Sequence, residues 1–142
     1  MRSEIFLDAA YAIALSVPKD MYHSKAVSLA EELESSKIRL ITSHAVMLEI
    51  GNALSKNKYR YAGVQLLKAI EDDPNITIVS ISESLYSESF RLYSERADKE
   101  WGLTDCISFI IMRNRKITEA LTTDEHFRQA GFRALLLEDN IL

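Results

Sequence analysis

The chain of 142 residues sets 17 Lys and Arg against 21 Asp and Glu, a formal net charge of −4. That balance argues against a protein that holds nucleic acid by bulk positive potential, while leaving room for a nuclease whose acids serve a metal. The single cysteine, Cys106, excludes a disulfide framework and a cysteine-type zinc site, and no apolar run reaches the 18 residues of a membrane span.

With 47% hydrophobic residues and only 4 Gly and 2 Pro, the composition predicts one ordered domain over residues 1–142. The opening "MRSEIFLD" has neither the length nor the shape of a signal peptide, so the expectation is a soluble, cytoplasmic protein. "EIFLD" (4–8) reads as a buried strand ending in an acid, and "AAYAIALS" as a helix after it. Residues 20–36 carry Ala26, Leu29, Ala30 and Leu33 at helical spacing, with Asp20 as the expected N-cap. "IRLIT" (38–42) is a second strand, and Ser43 caps the helix "HAVMLEIGNALSK". "YAGVQLLKAIEDD" is a further helix, stopped by Pro74. "ITIVSI" (76–81) is the third strand, Ser82–Arg96 a helix, and Leu103–Arg115 a buried helix. "EALTTD" (119–124) is the fourth strand, "EHFRQAG" a short helix ended by Gly131, and "FRALLL" a last strand. Strands alternating with helices imply an α/β fold with a mostly parallel sheet of four to five strands and helices on both faces.

In such a sheet, ligands bind beyond the carboxyl ends of the strands. Asp8 and Asp124 stand at two of those ends. Glu49 follows strand two on a helix, with Ala45 and Ala53 one turn to either side and Asn52 at i+3. Asp105 falls in the first turn of the apolar helix "WGLTDCISFIIM" introduces, where the backbone dipole favours negative charge. Each acid has an ordinary explanation: Asp8 and Asp124 as N-caps, Asp105 as a first-turn acid, Glu49 as a solvated helix residue. Together they repel one another. No Lys or Arg lies within three residues of Asp8, Glu49 or Asp105, so a proton or a counter-charge is needed. A divalent cation supplies one. Oxygen donors without a His/Cys set suit Mg²⁺ or Mn²⁺ better than zinc, and such ions polarise phosphoryl groups and activate water.

At these residues the sequence resembles the PIN-domain family, and most nearly its VapBC-type toxin ribonucleases. "DKEWGLTDCISFIIM" (98–112) is similar to that branch's D-K-x-W-x-L-T-D-C-x-S-F segment, and "ALTTDEHFRQAGF" (120–132) to its T-x-D-x-H-F-x-x-A-G-F segment. "IFLDAAYAIAL" and "TSHAVMLEIGNAL" match its first two acidic motifs in order, so the resemblance spans essentially the whole chain. Gly102 departs from it, standing where Ser is common. The resemblance implies a three-layer PIN-like fold and an endoribonuclease that depends on Mg²⁺ or Mn²⁺. Its catalytic and metal-holding set would be Asp8, Glu49, Asp105 and Asp124, with RNA as substrate, an antitoxin partner and a homodimer.

Thr104 and Ser108 flank Asp105 and are candidates to hydrogen-bond its carboxylate, with helix capping and an ordinary small polar side chain as the alternatives. Asp98 is either a supporting acid or the cap of a turn. Trp101 is read as a packing residue. His23 and His44 show no ligand spacing, and His126, just after a cap position, is read as structural or exposed. "KNKYRY" (56–61) interleaves basic and aromatic side chains suited to RNA, or else is a solvated turn between helices. "AYAIALSV", "AVSLAEEL" and "GVQLLKAI" hold more apolar residues than one buried face of each helix needs, which predicts an apolar groove for a partner. Two rivals remain: a PIN-fold binding module without chemistry, and a receiver-type phosphoacceptor domain. The second fits poorly, because "FLDAAY" has one acid and Lys116 precedes its strand.

Overall fold

Five parallel strands lie in the order β3-β2-β1-β4-β5 in the computed structural model, which describes residues 3–139. The strands are β1 (Glu4–Leu7), β2 (Arg39–Ser43), β3 (Ile76–Val79), β4 (Glu119–Leu121) and β5 (Arg133–Ala134). The helices are α1 (Ala9–Ser16), α2 (His23–Glu34), α3 (His44–Ala53), α4 (Asn57–Asp72), α5 (Glu83–Glu95), α6 (Leu103–Arg115) and α7 (Glu125–Gln129). A 3₁₀ turn over Leu135–Leu137 follows β5.

β1 is central because it is apolar beyond Glu4: Ile5, Phe6 and Leu7 are all buried, as a strand covered on both faces requires. It pairs with β2 on one side (Ile5 opposite Leu40) and with β4 on the other (Phe6 opposite Ala120). The chain therefore winds outward through β2 to β3, then crosses back to β4 and on to β5. Right-handed crossovers place α1–α4 on one face and α5–α7 on the other. The reversal falls between β1 and β4, and the crevice beyond their carboxyl ends is the sheet's switch point.

α6 is the centre of its layer. Seven consecutive residues, Cys106 through Met112, are buried, so this helix is apolar all round as a core helix should be. Phe109 meets Trp101 and Phe127 edge-on, each with ring centroids 5.0 Å apart, and Phe127 also contacts Phe6 of β1. Lys116 ends α6 in the left-handed region, at φ 59°. Gly131 follows α7 at φ 97°, which only glycine adopts without strain.

Several expected boundaries shift. Asp20 does not cap α2; its Oδ1 accepts the Tyr22 N–H at 2.9 Å in the preceding turn, and the helix begins at His23. "KNKYRY" is not a turn but opens α4, with Lys56 at its N-cap position. β4 stops at Leu121 because the Thr122 hydroxyl takes the Asp124 N–H at 3.0 Å and turns the chain. The last strand is two residues long, because Leu135–Leu137 coil into a 3₁₀ turn that buries Leu135 and Leu136.

The expected apolar groove is present. All three stretches line a cavity of about 540 Å³ between α1, α2 and α4, where Tyr11, Leu15, Leu33, Leu66 and Ile70 meet. Its rim carries Glu34 and Asp73. Among the described residues no helix is long and apolar enough to cross a membrane.

Candidate metal centre

Asp8 immediately follows β1 and occupies the N-cap position of α1, yet its side chain makes no capping bond. Its Oδ2 instead accepts the Thr122 hydroxyl at 2.7 Å, across the β1–β4 switch point. The residue is only 7% exposed. Burial pushes its carboxyl up to about 6, against the Thr122 hydrogen bond, and the charges of Asp105 and Asp124 push the same way.

Glu49 lies midway along α3, whose N-terminus is fixed by Ser43 accepting the Val46 N–H at 3.3 Å. Partial burial, and then the charges of Asp8, Asp105 and Asp124, raise its carboxyl to about 7. Glu49 is half-buried and not fully solvated. A carboxylate that feels three others is part of a cluster.

Asp105 is the third residue of α6 and serves two ends. Its Oδ2 accepts the Gly102 N–H at 3.1 Å, the reciprocal half of a capping box, and lies 3.0 Å from His126 Nδ1. Burial raises its carboxyl, opposed by the hydrogen bonds from His126 and Gly102. Asp124 is the N-cap of α7; its Oδ1 accepts the His126 backbone N–H at 2.9 Å and lies 3.3 Å from His126 Nδ1.

Of the four acids, Asp105 and Asp124 meet at His126, and the charges of Asp105 and Asp124 reach both Asp8 and Glu49. Among the described residues no lysine or arginine forms an ion pair with any of them, and none is a main cause of the shifts of Asp8, Glu49 and Asp105. Asp105, Asp124 and His126 each offer a ligand atom within 4.8 Å of one another. Carboxylate oxygens without a lysine or arginine counter-ion, with the His126 imidazole beside Asp105 and Asp124, fit a hard divalent cation.

The supporting candidates fare differently. The Ser108 hydroxyl donates back along α6 to the Thr104 carbonyl at 3.1 Å, so its proton is spent inside the helix and not on Asp105. Asp98 sits in an exposed ion pair with Arg96, at 2.9 Å, with Lys99 3.9 Å away. Trp101 packs as expected: it is buried and donates its indole N–H to Gln129 Oε1 at 2.9 Å. Two contributors were not anticipated, Thr122 and His126. They flank Asp124 at i−2 and i+2, a symmetry the string "TTDEH" contains but does not explain.

In fold, the chain is similar to Mycobacterium tuberculosis VapC20, a toxin that cleaves the sarcin–ricin loop: the TM-score is 0.81 at 25% identity, over 90% of this chain and 95% of that one. It also matches the VapBC2 structure from Rickettsia felis bound to a promoter DNA fragment, with a TM-score of 0.65 at 13% identity over 92% of this chain and 96% of that one. FitAcB from Neisseria gonorrhoeae gives 0.63 at 19% identity, over 92% and 94%. At such identities the last two speak to fold alone. No curated protein matches by sequence. The PIN domain model matches residues 5–133, from β1 to the start of β5 and through every acid of the cluster, and the chain belongs to the PIN domain family.

Proposed function

We propose that this chain, as a single PIN domain over residues 1–142, is an endoribonuclease dependent on Mg²⁺ or Mn²⁺ and the cytoplasmic toxin of a toxin–antitoxin pair. One observation carries the reading: burial and mutual repulsion push Asp8, Glu49 and Asp105 toward protonation with no lysine or arginine to oppose it. Asp8, Glu49, Asp105 and Asp124 would hold the ion. When bound, a divalent cation supplies Lewis acidity toward a phosphoryl oxygen and acidifies water. Asp105 is held by a helix whose next seven residues are core, and Asp8 by the Thr122 hydroxyl, so both carboxylates are fixed before substrate arrives. RNA as substrate is supported by the likeness to a toxin that cleaves the sarcin–ricin loop.

Partner control is supported by the apolar groove between α1, α2 and α4, with Glu34 and Asp73 on its rim. An apolar peptide segment carrying a basic residue, from an antitoxin, fits that chemistry. A second copy of the chain fits α5, where Tyr86, Phe90 and Tyr93 stand about half exposed in a stacked ladder.

The test is cleavage of end-labelled structured RNA in EDTA, Mg²⁺ or Mn²⁺. Cleavage should need either ion and vanish in Asp105→Asn. Cleavage in EDTA overturns the metal-dependent reading, and a folded wild-type protein inert with both ions on varied RNAs would favour the non-catalytic binding module.

A further inference from the structure

The net charge of −4 is not spread evenly along the chain. From residue 50 to residue 70 there is no acid, while Lys56, Lys58, Arg60 and Lys68 all fall there. Lys56, Lys58 and Arg60 are exposed at the start of α4, and among the described residues none of them forms an ion pair. Arg91, Arg96, Arg115, Arg128 and Arg133, by contrast, each meet a carboxylate.

Two of the α4 cations are held in place. Arg60 donates from Nε and Nη2 to the Ser55 carbonyl at 3.1 and 2.7 Å, which leaves its remaining N–H groups for a ligand. Lys58 Nζ stands 5.0 Å from the centroid of the Tyr59 ring. Tyr59 packs against the core, whereas Tyr61 is 76% exposed and no part of it.

The fold puts this surface beside the acids. The chain between β2 and β3 must return from the carboxyl edge of the sheet to its amino edge, and α4 makes that return. Its last turns border the start of β3, with Ile70 and Ile76 lining one cavity. Its 16 residues rise about 24 Å, against about 13 Å for the four residues of β3. The first turn of α4 therefore stands at the carboxyl edge. It is seated on the end of α3, where a Cβ on Gly63 would come within 3.1 Å of the Leu54 Cβ. Along the chain, four helical steps and three further ones bring Lys56 Cα within about 17 Å of Glu49 Cα.

Phosphates approaching a group of carboxylates are repelled, and the chain's overall charge offers no compensation. Local cations must supply it. RNA carries both groups this surface matches, phosphates for the cations and base faces for an exposed tyrosine. We infer that the first two turns of α4 bind a single-stranded stretch of RNA next to the acids, with Lys56, Lys58 and Arg60 on phosphates and Tyr61 stacked on a base. The inference rests on the ribonuclease reading for its substrate, and adds the surface and the strandedness. Paired bases are stacked within a duplex and offer Tyr61 no free face.

The test is binding of a fluorescein-labelled, unstructured RNA oligonucleotide in EDTA, read by anisotropy. Each phosphate neutralised on a single strand contributes about −0.7 to the slope of log affinity against log salt. Replacing Lys56 and Lys58 together by Ala should make that slope shallower by about 1.4. Tyr61→Ala should weaken binding about tenfold at unchanged slope, and Tyr61→Phe should restore it. A duplex RNA should bind Tyr61→Ala and wild type alike. Lys37→Ala removes an exposed charge before β2, at the amino edge, and should bind as wild type. No binding by the wild type, an unchanged slope in the double variant, or full affinity in Tyr61→Ala each overturns the inference. A poly-glutamate peptide that binds more tightly than the RNA would assign the surface to an acidic protein and overturn it as well. Failure here is separable from failure of the ribonuclease reading. Normal binding by the α4 variants beside Mg²⁺-dependent cleavage by the wild type removes only the surface. The predicted binding losses without cleavage in either ion remove only the nuclease. Melting curves on each variant confirm that a loss is not unfolding.

Discussion

The Thr122 hydroxyl donates to Asp8 Oδ2 at 2.7 Å, joining residues 114 positions apart in the sequence. The Thr122 hydroxyl oxygen also accepts the Asp124 N–H at 3.0 Å, so one buried side chain links the ends of β1 and β4 and begins the turn into α7. A threonine that reads as part of a strand is the pivot of the switch point.

Thr122→Val keeps the shape and removes the hydroxyl. Asp8 then loses the hydrogen bond that lowers its carboxyl, and the Asp124 N–H loses its acceptor. The expected cost is about 1–3 kcal/mol of stability, read by urea denaturation, with weaker Mn²⁺ binding alongside. Unchanged stability and unchanged binding would show that water replaces the hydroxyl in both roles.

The raised carboxyls predict an inverted pH dependence for the metal-free protein. Asp8 moves from 3.8 up to about 6 and Glu49 from 4.5 up to about 7. Between those values the native state keeps protons that the unfolded chain has released, so stability falls as pH rises through the window and stays low above it. For Asp8, the more buried of the two, the penalty above pH 7 is about 3 kcal/mol. Melting temperature should therefore be higher near pH 5 than near pH 8, and Mg²⁺ or Mn²⁺ should restore it near pH 8 but not near pH 5. A metal-free protein that gains stability from pH 5 to pH 8 contradicts the account.

Asp105→Asn and Glu49→Gln remove charge from the cluster while keeping side-chain shape. Both should fold, with metal-free stability at pH 8 equal to or above wild type, because repulsion is relieved. RNA cleavage should fall by two or more orders of magnitude in each, and excess Mg²⁺ should restore little. Asp98→Asn is the contrast: its pair with Arg96 is exposed and screened by solvent, and cleavage should stay near wild type. Full cleavage by folded Asp105→Asn would remove that carboxylate from the required set.

The α5 ladder predicts self-association. Light scattering at micromolar concentration should give a dimer, and Phe90→Asp should give a folded monomer, since Phe90 is 51% exposed and lies outside the core. A monomeric wild type, or a dimeric Phe90→Asp, places the contact elsewhere or removes it.

What the sequence determined by itself is local. The span of α6 was readable as about Leu103 to Arg115, because an acid in the first turn and a long apolar run encode a buried helix within one stretch. The alternation of strands and helices, and the strand-end and helix-start positions of the acids, were readable for the same reason. What crosses the chain was not. Two residues of "FRALLL" pair with β4 and the rest coil away, because apolar composition cannot distinguish a paired strand from a buried 3₁₀ turn. Ser108 could have faced the acid or its own helix, and the i−4 carbonyl won by proximity. His126 could have faced solvent; only the packing of Phe127 beneath α7 turns its ring toward an aspartate 21 residues away. Such side-chain roles are set by distances between elements, and those distances exist only once the sheet has ordered β1 beside β4.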